Sequence, residues 1–322
     1  MGINIGETPI EDLKLGENQI TKVYLGEEEI WSKSQPPIVV NALRFTSPNA
    51  QTIVIDSSKL GSIALNMEYS NDGDNWNTWN VTTPLSFGGT TPLYIRGTNT
   101  FLAKGGTNYT HFIFSTNSPV YCNGNIMHLF DYTQDLTEFP SSADSRGVKY
   151  LFQNCTQLVE APDSSIIIGC GYMYYYMYDG CTSLVEAPDI LATSCGDSAF
   201  SYMFNNCTSL AHAPKMASIY TGSARMYEGM FYGCTNLEEI PLPRLTLSYA
   251  NNSIYNNMFR NCTKIKMSET QTDEYLNEFT FSDPNLSHLS GNTADMFTGT
   301  GGTFTGTPTQ LTYYTSNQVV VL

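Results

Sequence analysis

The chain has 322 residues, a net charge of −15 and a pI near 4.5, an acidic balance that argues against nucleic acid or an anionic membrane as partner. Only 14% of the residues are charged, while there are 25 glycines and 21 tyrosines, a composition that fits a β-rich exterior protein better than a helical cytosolic enzyme. No run approaches the roughly 18 apolar residues that would cross a bilayer, so no membrane insertion is expected.

Residues 1–35 read as a small unit. Met1-Gly2-Ile3-Asn4-Ile5 lacks the basic and apolar regions of a secretory leader, which predicts a protein that reaches the exterior by another route, such as assembly into a particle. Lys22-Val23-Tyr24-Leu25-Gly26 followed by Glu29-Ile30-Trp31 predicts two short strands and a glycine turn. This phrase resembles a short N-terminal module of bacteriophage structural proteins, especially those of tails and fibres. The resemblance implies attachment to other virion proteins through Val23, Tyr24, Leu25, Ile30 and Trp31, a virion localisation on head or tail, and possible homotrimers. An ordinary hairpin packed on the next domain is the alternative.

Ser32-Lys33-Ser34-Gln35-Pro36-Pro37 marks a break. Over 36–128, seven alternating runs predict a β-sandwich: 43–46, 52–55, 63–69, 76–80, 93–96, 111–115 and 120–122. Asn71-Asp72-Gly73-Asp74-Asn75 lacks the distal glutamate of a calcium loop and reads as a hairpin turn. Trp76 and Trp79 read as packing at the sandwich edge, with sugar stacking as the alternative.

One phrase then recurs. It runs Leu151-Phe152-Gln153-Asn154-Cys155-Thr156-Gln157-Leu158-Val159-Glu160-Ala161-Pro162, and returns with its cysteine at Cys181, Cys207, Cys234 and Cys262, at intervals of 26, 26, 27 and 28. A gapless degenerate copy starts at Leu129, with Thr133 at the cysteine position. A period of this length predicts a solenoid over 129–270, of about five coils, with 271–322 as its C-terminal cap. Tyr174/Met177/Tyr178, Phe200/Met203/Phe204, Tyr227/Met230/Phe231 and Tyr255/Met258/Phe259 show i, i+3, i+4 spacing, which predicts one or two helical turns per unit. The Leu-x-x-Ala-Pro that follows predicts a short extended segment in a narrow, interrupted parallel sheet, because proline cannot donate to a ladder. The fold class is thus mainly β with short helices.

The phrase Met-Phe-x-x-Cys-Thr-x-Leu, as at Cys207 and Cys234, resembles the BspA-like subclass of leucine-rich repeats, and segments 65–76, 94–99 and 124–127 resemble the β-domain that accompanies them. The resemblance implies adhesion and no catalysis.

Cys155, Cys181, Cys207, Cys234 and Cys262 recur at one repeat position and Cys170 and Cys195 near a second, which predicts buried free thiols rather than disulfides; without a C-x-x-C pair, no metal is expected. His111, His128, His212 and His288 are scattered, and no hydrolase or phosphate-binding motif occurs, so neither enzyme activity nor a cofactor is expected. Two columns of charge do recur: Glu160, Glu186, His212 and Glu239, then Asp163, Asp189 and Lys215. With Tyr172, Tyr175, Tyr176 and Tyr220 nearby in sequence, they form the candidate binding face for a host polysaccharide or protein. The tyrosines could instead fill the convex side between coils. The leading reading is a bacteriophage fibre or receptor-binding protein; a bacterial surface adhesin is the alternative, and a glycan-degrading enzyme a more distant one.

Overall fold

The computed structural model describes 40–140, 146–217, 223–238, 253–265 and 294–300 in full and, before residue 40, the backbone of six short strands. The chain divides into two compact units, Met1–Val40 and Asn41–Leu322. Of the segment expected to cap the repeats, 271–322, all but 294–300 lies outside the described residues.

The first unit is three antiparallel pairs. β1 (Asn4–Ile5) pairs with β2 (Thr8–Pro9), β3 (Leu13–Leu15) with β4 (Asn18–Ile20), and β5 (Lys22–Leu25) with β6 (Glu28–Ser32). The third pair is the hairpin that the sequence predicts, and it sets Val23 opposite Trp31. The two earlier pairs carry too few apolar residues to show as strands in the sequence.

In the second unit, β7 (Leu43–Thr46), β8 (Gln51–Ile55), β9 (Met67–Ser70), β10 (Asn77–Thr78), β11 (Leu85–Phe87), β12 (Leu93–Gly97), β13 (Phe112–Phe114), β14 (Val120–Asn123) and β15 (Leu158–Glu160) build two open sheets. Their orders are β10-β9-β12-β7-β14-β15 and β11-β8-β13. The alternation of Ile53 and Ile55 in β8 and of Leu93 and Ile95 in β12 turns one row of each strand into the core. Phe45 of the larger sheet meets Phe87, Phe112 and Phe114 of the smaller at 6.3, 5.8 and 6.1 Å between ring centroids. Burying each such ring contributes about 1.5–3 kcal/mol.

Two predicted strands shrink. The run expected over 63–69 begins only at Met67, because the four-residue helix α1 (Ser57–Leu60), capped by Asp56, and a turn from Ile63 N to Leu60 O use up the chain before it. The run expected over 76–80 keeps only Asn77–Thr78. Asp72 accepts from the backbone N–H groups of Asp74 and Asn75 and from the Asn75 amide, which closes 71–75 as a turn. Arg96 lies 3.6 Å from the centre of the Trp76 ring and 3.8 Å from that of Tyr132, and Trp79 is buried with its indole N–H donated to Thr83 O. Both tryptophans thus serve packing.

The larger sheet runs on into the repeats, since β15 follows the first repeat cysteine and pairs in parallel with β14, Val120 against Leu158. Beyond it the extended segments touch through single bridges, Glu160–Glu186 and Glu186–His212. The prolines at 162, 188 and 214 keep this ladder narrow, as the sequence predicts.

The predicted helical turns are absent: no α-helix occurs among the described residues of the repeats. In their place stands a run of reverse turns with a left-handed residue every fourth position. These are Tyr172, Tyr176 and Gly180 in one repeat, then Ser198, Tyr202 and Asn206, then Arg225, Gly229 and Gly233. Backbone donors alternate. Met177 N donates to Tyr174 O inside the repeat, whereas Tyr176 N and Tyr178 N donate to Ser201 O and Met203 O of the next. A helix would keep all these bonds to itself; here half of them tie repeat to repeat. Left-handed conformations at non-glycine residues cost energy, and the bonds and stacked rings between repeats offset it.

That stacking is regular. Phe152, Tyr178, Phe204, Phe231, Phe259 and Phe297 form one buried column with centroids 5.5–5.8 Å apart and planes within 14°. Tyr174, Phe200, Tyr227 and Tyr255 form a second. All eight cysteines are free, and the five at the repeat position are buried. Each of those thiols donates to the carbonyl of an aromatic residue in the preceding layer: Cys181 to Phe152 O at 3.1 Å, Cys207 to Tyr178 O at 3.1 Å and Cys234 to Phe204 O at 3.0 Å. Burial pushes their pKa values up, so they remain thiols. Immediately before this column, Asn154, Asn206 and Asn261 alternate with Gly180, Gly233 and Gly299, all at positive φ. A Cβ on each glycine would lie 2.4–2.5 Å from the Oδ1 of the asparagine in the preceding layer.

Candidate functional site

The predicted binding face starts from the leucines Leu158, Leu184, Leu210 and Leu237, all buried, which anchor the extended segments and turn the following residues outward. One backbone bond per step holds these segments together: Val185 N to Val159 O at 3.3 Å, Ala211 N to Val185 O at 3.4 Å and Glu238 N to Ala211 O at 3.2 Å. Because parallel pairing sets equivalent residues side by side, Glu160, Glu186 and His212 share one column, exposed throughout. Asn123 donates its amide to Glu160. Asp163 bridges to Asn125, and Asp189 accepts from Lys215 N at 3.3 Å. Glu239 lies outside the described residues; its neighbour Glu238 pairs with Lys264 at 2.9 Å. Like charges set directly opposite, as in Glu160 and Glu186, repel, and water screens them on this exposed face. The column can accept hydrogen bonds or pair with cations.

The tyrosines do not belong to that column. Tyr172, Tyr175 and Tyr176 stand in the turn-rich segment, and Tyr220 lies outside the described residues. Around them the structure gathers Tyr109, Tyr150 and Tyr202, which sequence reasoning missed. Tyr150, Tyr176 and Tyr202 stack at 5.8 and 4.8 Å, Tyr109 meets Tyr150 at 4.5 Å, and Tyr175 stands edge-on to Tyr176 at 4.6 Å. The missed signal was positional, since 150, 176 and 202 are spaced by the repeat itself. Beside this ridge, Asp179 accepts from Gln153 at 2.9 Å and Asn205 at 2.7 Å. Burial raises the pKa of Asp179 and of Glu228, against the opposing effects of the two amides on the first and of Arg225 on the second.

His111 and His128 are structural. His111 Nε2 meets Gln153 O at 2.7 Å, and His128 is buried at the start of the repeats, where desolvation lowers its pKa. Among the described residues no group of His, Cys, Asp and Glu could hold a metal ion, and no helix is long and apolar enough to cross a membrane. Val23, Tyr24 and Leu25 fall in β5 and Ile30 and Trp31 in β6, with only their backbone described.

A family model for the BspA type leucine rich repeat region matches in six copies, over residues 127–266 and 200–297. Neither the curated proteins nor the solved structures contain a match to this chain.

Proposed function

Because the chain belongs to the BspA-type leucine-rich repeat family, we propose that it is an adhesin-like recognition protein displayed on an exposed surface. The observation that carries this reading is the repeat match together with its inward and outward columns. Aromatic rings and thiols go inside, and exposed side chains are left in register from one repeat to the next. Repeat proteins make extended binding faces in this way. In this reading 129–270 is a solenoid of about five coils between caps, with 271–322 as the C-terminal cap. Residues 36–128 are a β-sandwich that carries it, and 1–35 are the attachment module. Glu160, Asp163, Glu186, Asp189, His212, Lys215 and Glu239 form its face for a surface polysaccharide or protein. It has no catalytic role and takes no cofactor.

Two mounts fit the display. A bacterial cell surface accords with the repeat family. A virion fibre or head appendage, trimeric as such fibres commonly are, accords with the hairpin phrase Val23-Tyr24-Leu25 and Ile30-Trp31, which would hold it to other virion proteins. Gold-labelled antibody against the repeats, applied to intact cells and to purified particles, separates them. Label on particles assigns the virion, and label on the cell envelope assigns the bacterium. Protein confined to the cell interior, with neither surface marked, overturns the display reading.

A further inference from the structure

A surface built by stacking repeats its side chains at the step of the stack. Tyr150, Tyr176 and Tyr202 occupy one position in three successive repeats, with ring planes within 21° and 12° of parallel. Stacked this way, the rings cover one another's faces and present their edges and hydroxyls. Tyr175 stands edge-on to both Tyr150 and Tyr176, at 5.5 and 4.6 Å between ring centroids, and Glu228 lies at the Tyr202 end. The column stops where the fourth repeat has Gly229, because a Cβ there would lie 2.3 Å from the Tyr202 ring. Three phenols, a carboxyl held between two amides and a second carboxyl at the far end thus make one continuous polar strip on an aromatic base.

We propose that this tyrosine ridge binds a neutral polysaccharide chain of equatorially linked sugars, laid along the stack with one sugar unit per repeat. The centroid steps of 5.8 and 4.8 Å are about the length of one pyranose unit in such an extended chain. An extended peptide advances by about 3.3 Å per residue and falls out of step with the ridge within two repeats. Phenols both donate and accept, which suits a ligand of hydroxyl groups. Asp179 and Glu228, half-buried in the strip, disfavour a uronic or sulfated chain through like-charge repulsion. The site is distinct from the Glu160–Glu186–His212 column, though it rests on the same surface-recognition reading.

The test is affinity electrophoresis of the full chain in gels containing hydroxyethylcellulose or glucomannan, with alginate as the anionic comparison. The triple variant Tyr150→Phe, Tyr176→Phe, Tyr202→Phe keeps the ring stack and removes the hydroxyls. The wild type should be retarded by a neutral polymer. The triple variant should melt like the wild type and lose about tenfold or more in affinity, as expected when three hydrogen bonds are deleted. The variant Asp74→Ala, in the exposed 71–75 turn of the two-sheet region, should bind as the wild type does. Equal retardation of the triple variant, stronger retention by alginate, or no retardation by either neutral polymer overturns the proposal. If the protein then still labels intact cells, the ligand class falls and surface recognition stands.

Discussion

The two-sheet region and the repeats both pack aromatic rings, and they pack them in opposite ways. Around Phe45 the rings meet at 54–76°, edges against faces. In the column from Tyr178 to Phe297 they lie within 9° of parallel. In the sheets each strand has its own sequence and direction, so each ring can seek the edge-to-face geometry its quadrupole favours. In the repeats the backbone moves by one step and carries each ring with it, so parallel offset stacking is imposed. A region held by translation should therefore respond to damage through its neighbours along the stack.

The largest expected effect is at the centre of the column. Phe204 is fully buried between Tyr178 and Phe231, and Phe204→Ala should cost about 3–5 kcal/mol in denaturant unfolding. The difference between the regions appears in a double-mutant cycle. Phe204→Ala with Phe231→Ala should deviate from additivity by about 0.5 kcal/mol or more, whereas Phe204→Ala with Phe45→Ala should add. Additivity in both would mean that the column is no more coupled than the sheets.

Next comes Gly233→Ala. Its φ of 72° and the Asn206 Oδ1 in the way make two independent obstacles, and the loss should be about 1–3 kcal/mol by the same measurement. Gly89, also at positive φ but with open space around it, should tolerate alanine better.

The joint between the regions should respond to pH. His128 is buried and its pKa is depressed by desolvation, so the unfolded chain takes up the proton more readily than the folded one. This contribution to stability is complete above the unfolded value near 6.5 and is lost as pH falls toward the folded pKa. Melting temperature should drop from about pH 7.5 to about pH 5, and less so in His128→Asn. An equal drop in the variant would assign the effect to other groups.

The smallest effect is at the exposed column. Glu186→Ala should change stability by no more than about 0.5 kcal/mol, and a slight gain is consistent with relief of its repulsion with Glu160. A large loss would contradict the outward placement of this face.

Much of this was legible in the sequence, because recurring identity is a strong signal. The cysteine interval located the repeats, the buried thiols and the aromatic columns followed from it, and the prolines foretold the narrow ladder. The backbone between Tyr172 and Cys181 was not legible. Apolar residues at i, i+3 and i+4 mark a helical face, but they equally mark a turn that repeats every four residues. Left-handed φ is what distinguishes the two. Gly180 and Gly229 hint at it, whereas Tyr176 and Tyr202 adopt it without any compositional sign. Which side of the stack Tyr172, Tyr175 and Tyr176 face stays open in the sequence, because a sequence gives position within a repeat and not the side that position faces.

The alternation of asparagine and glycine ahead of the cysteines has a consequence for how such a chain can grow. Each asparagine amide fills the space that its glycine neighbour leaves, so odd and even layers are not interchangeable. Removing or duplicating one layer would set amide against amide or leave two bare backbones facing each other. The unit that can be copied or lost without a defect is the pair, and arrays of this design should change length by even steps.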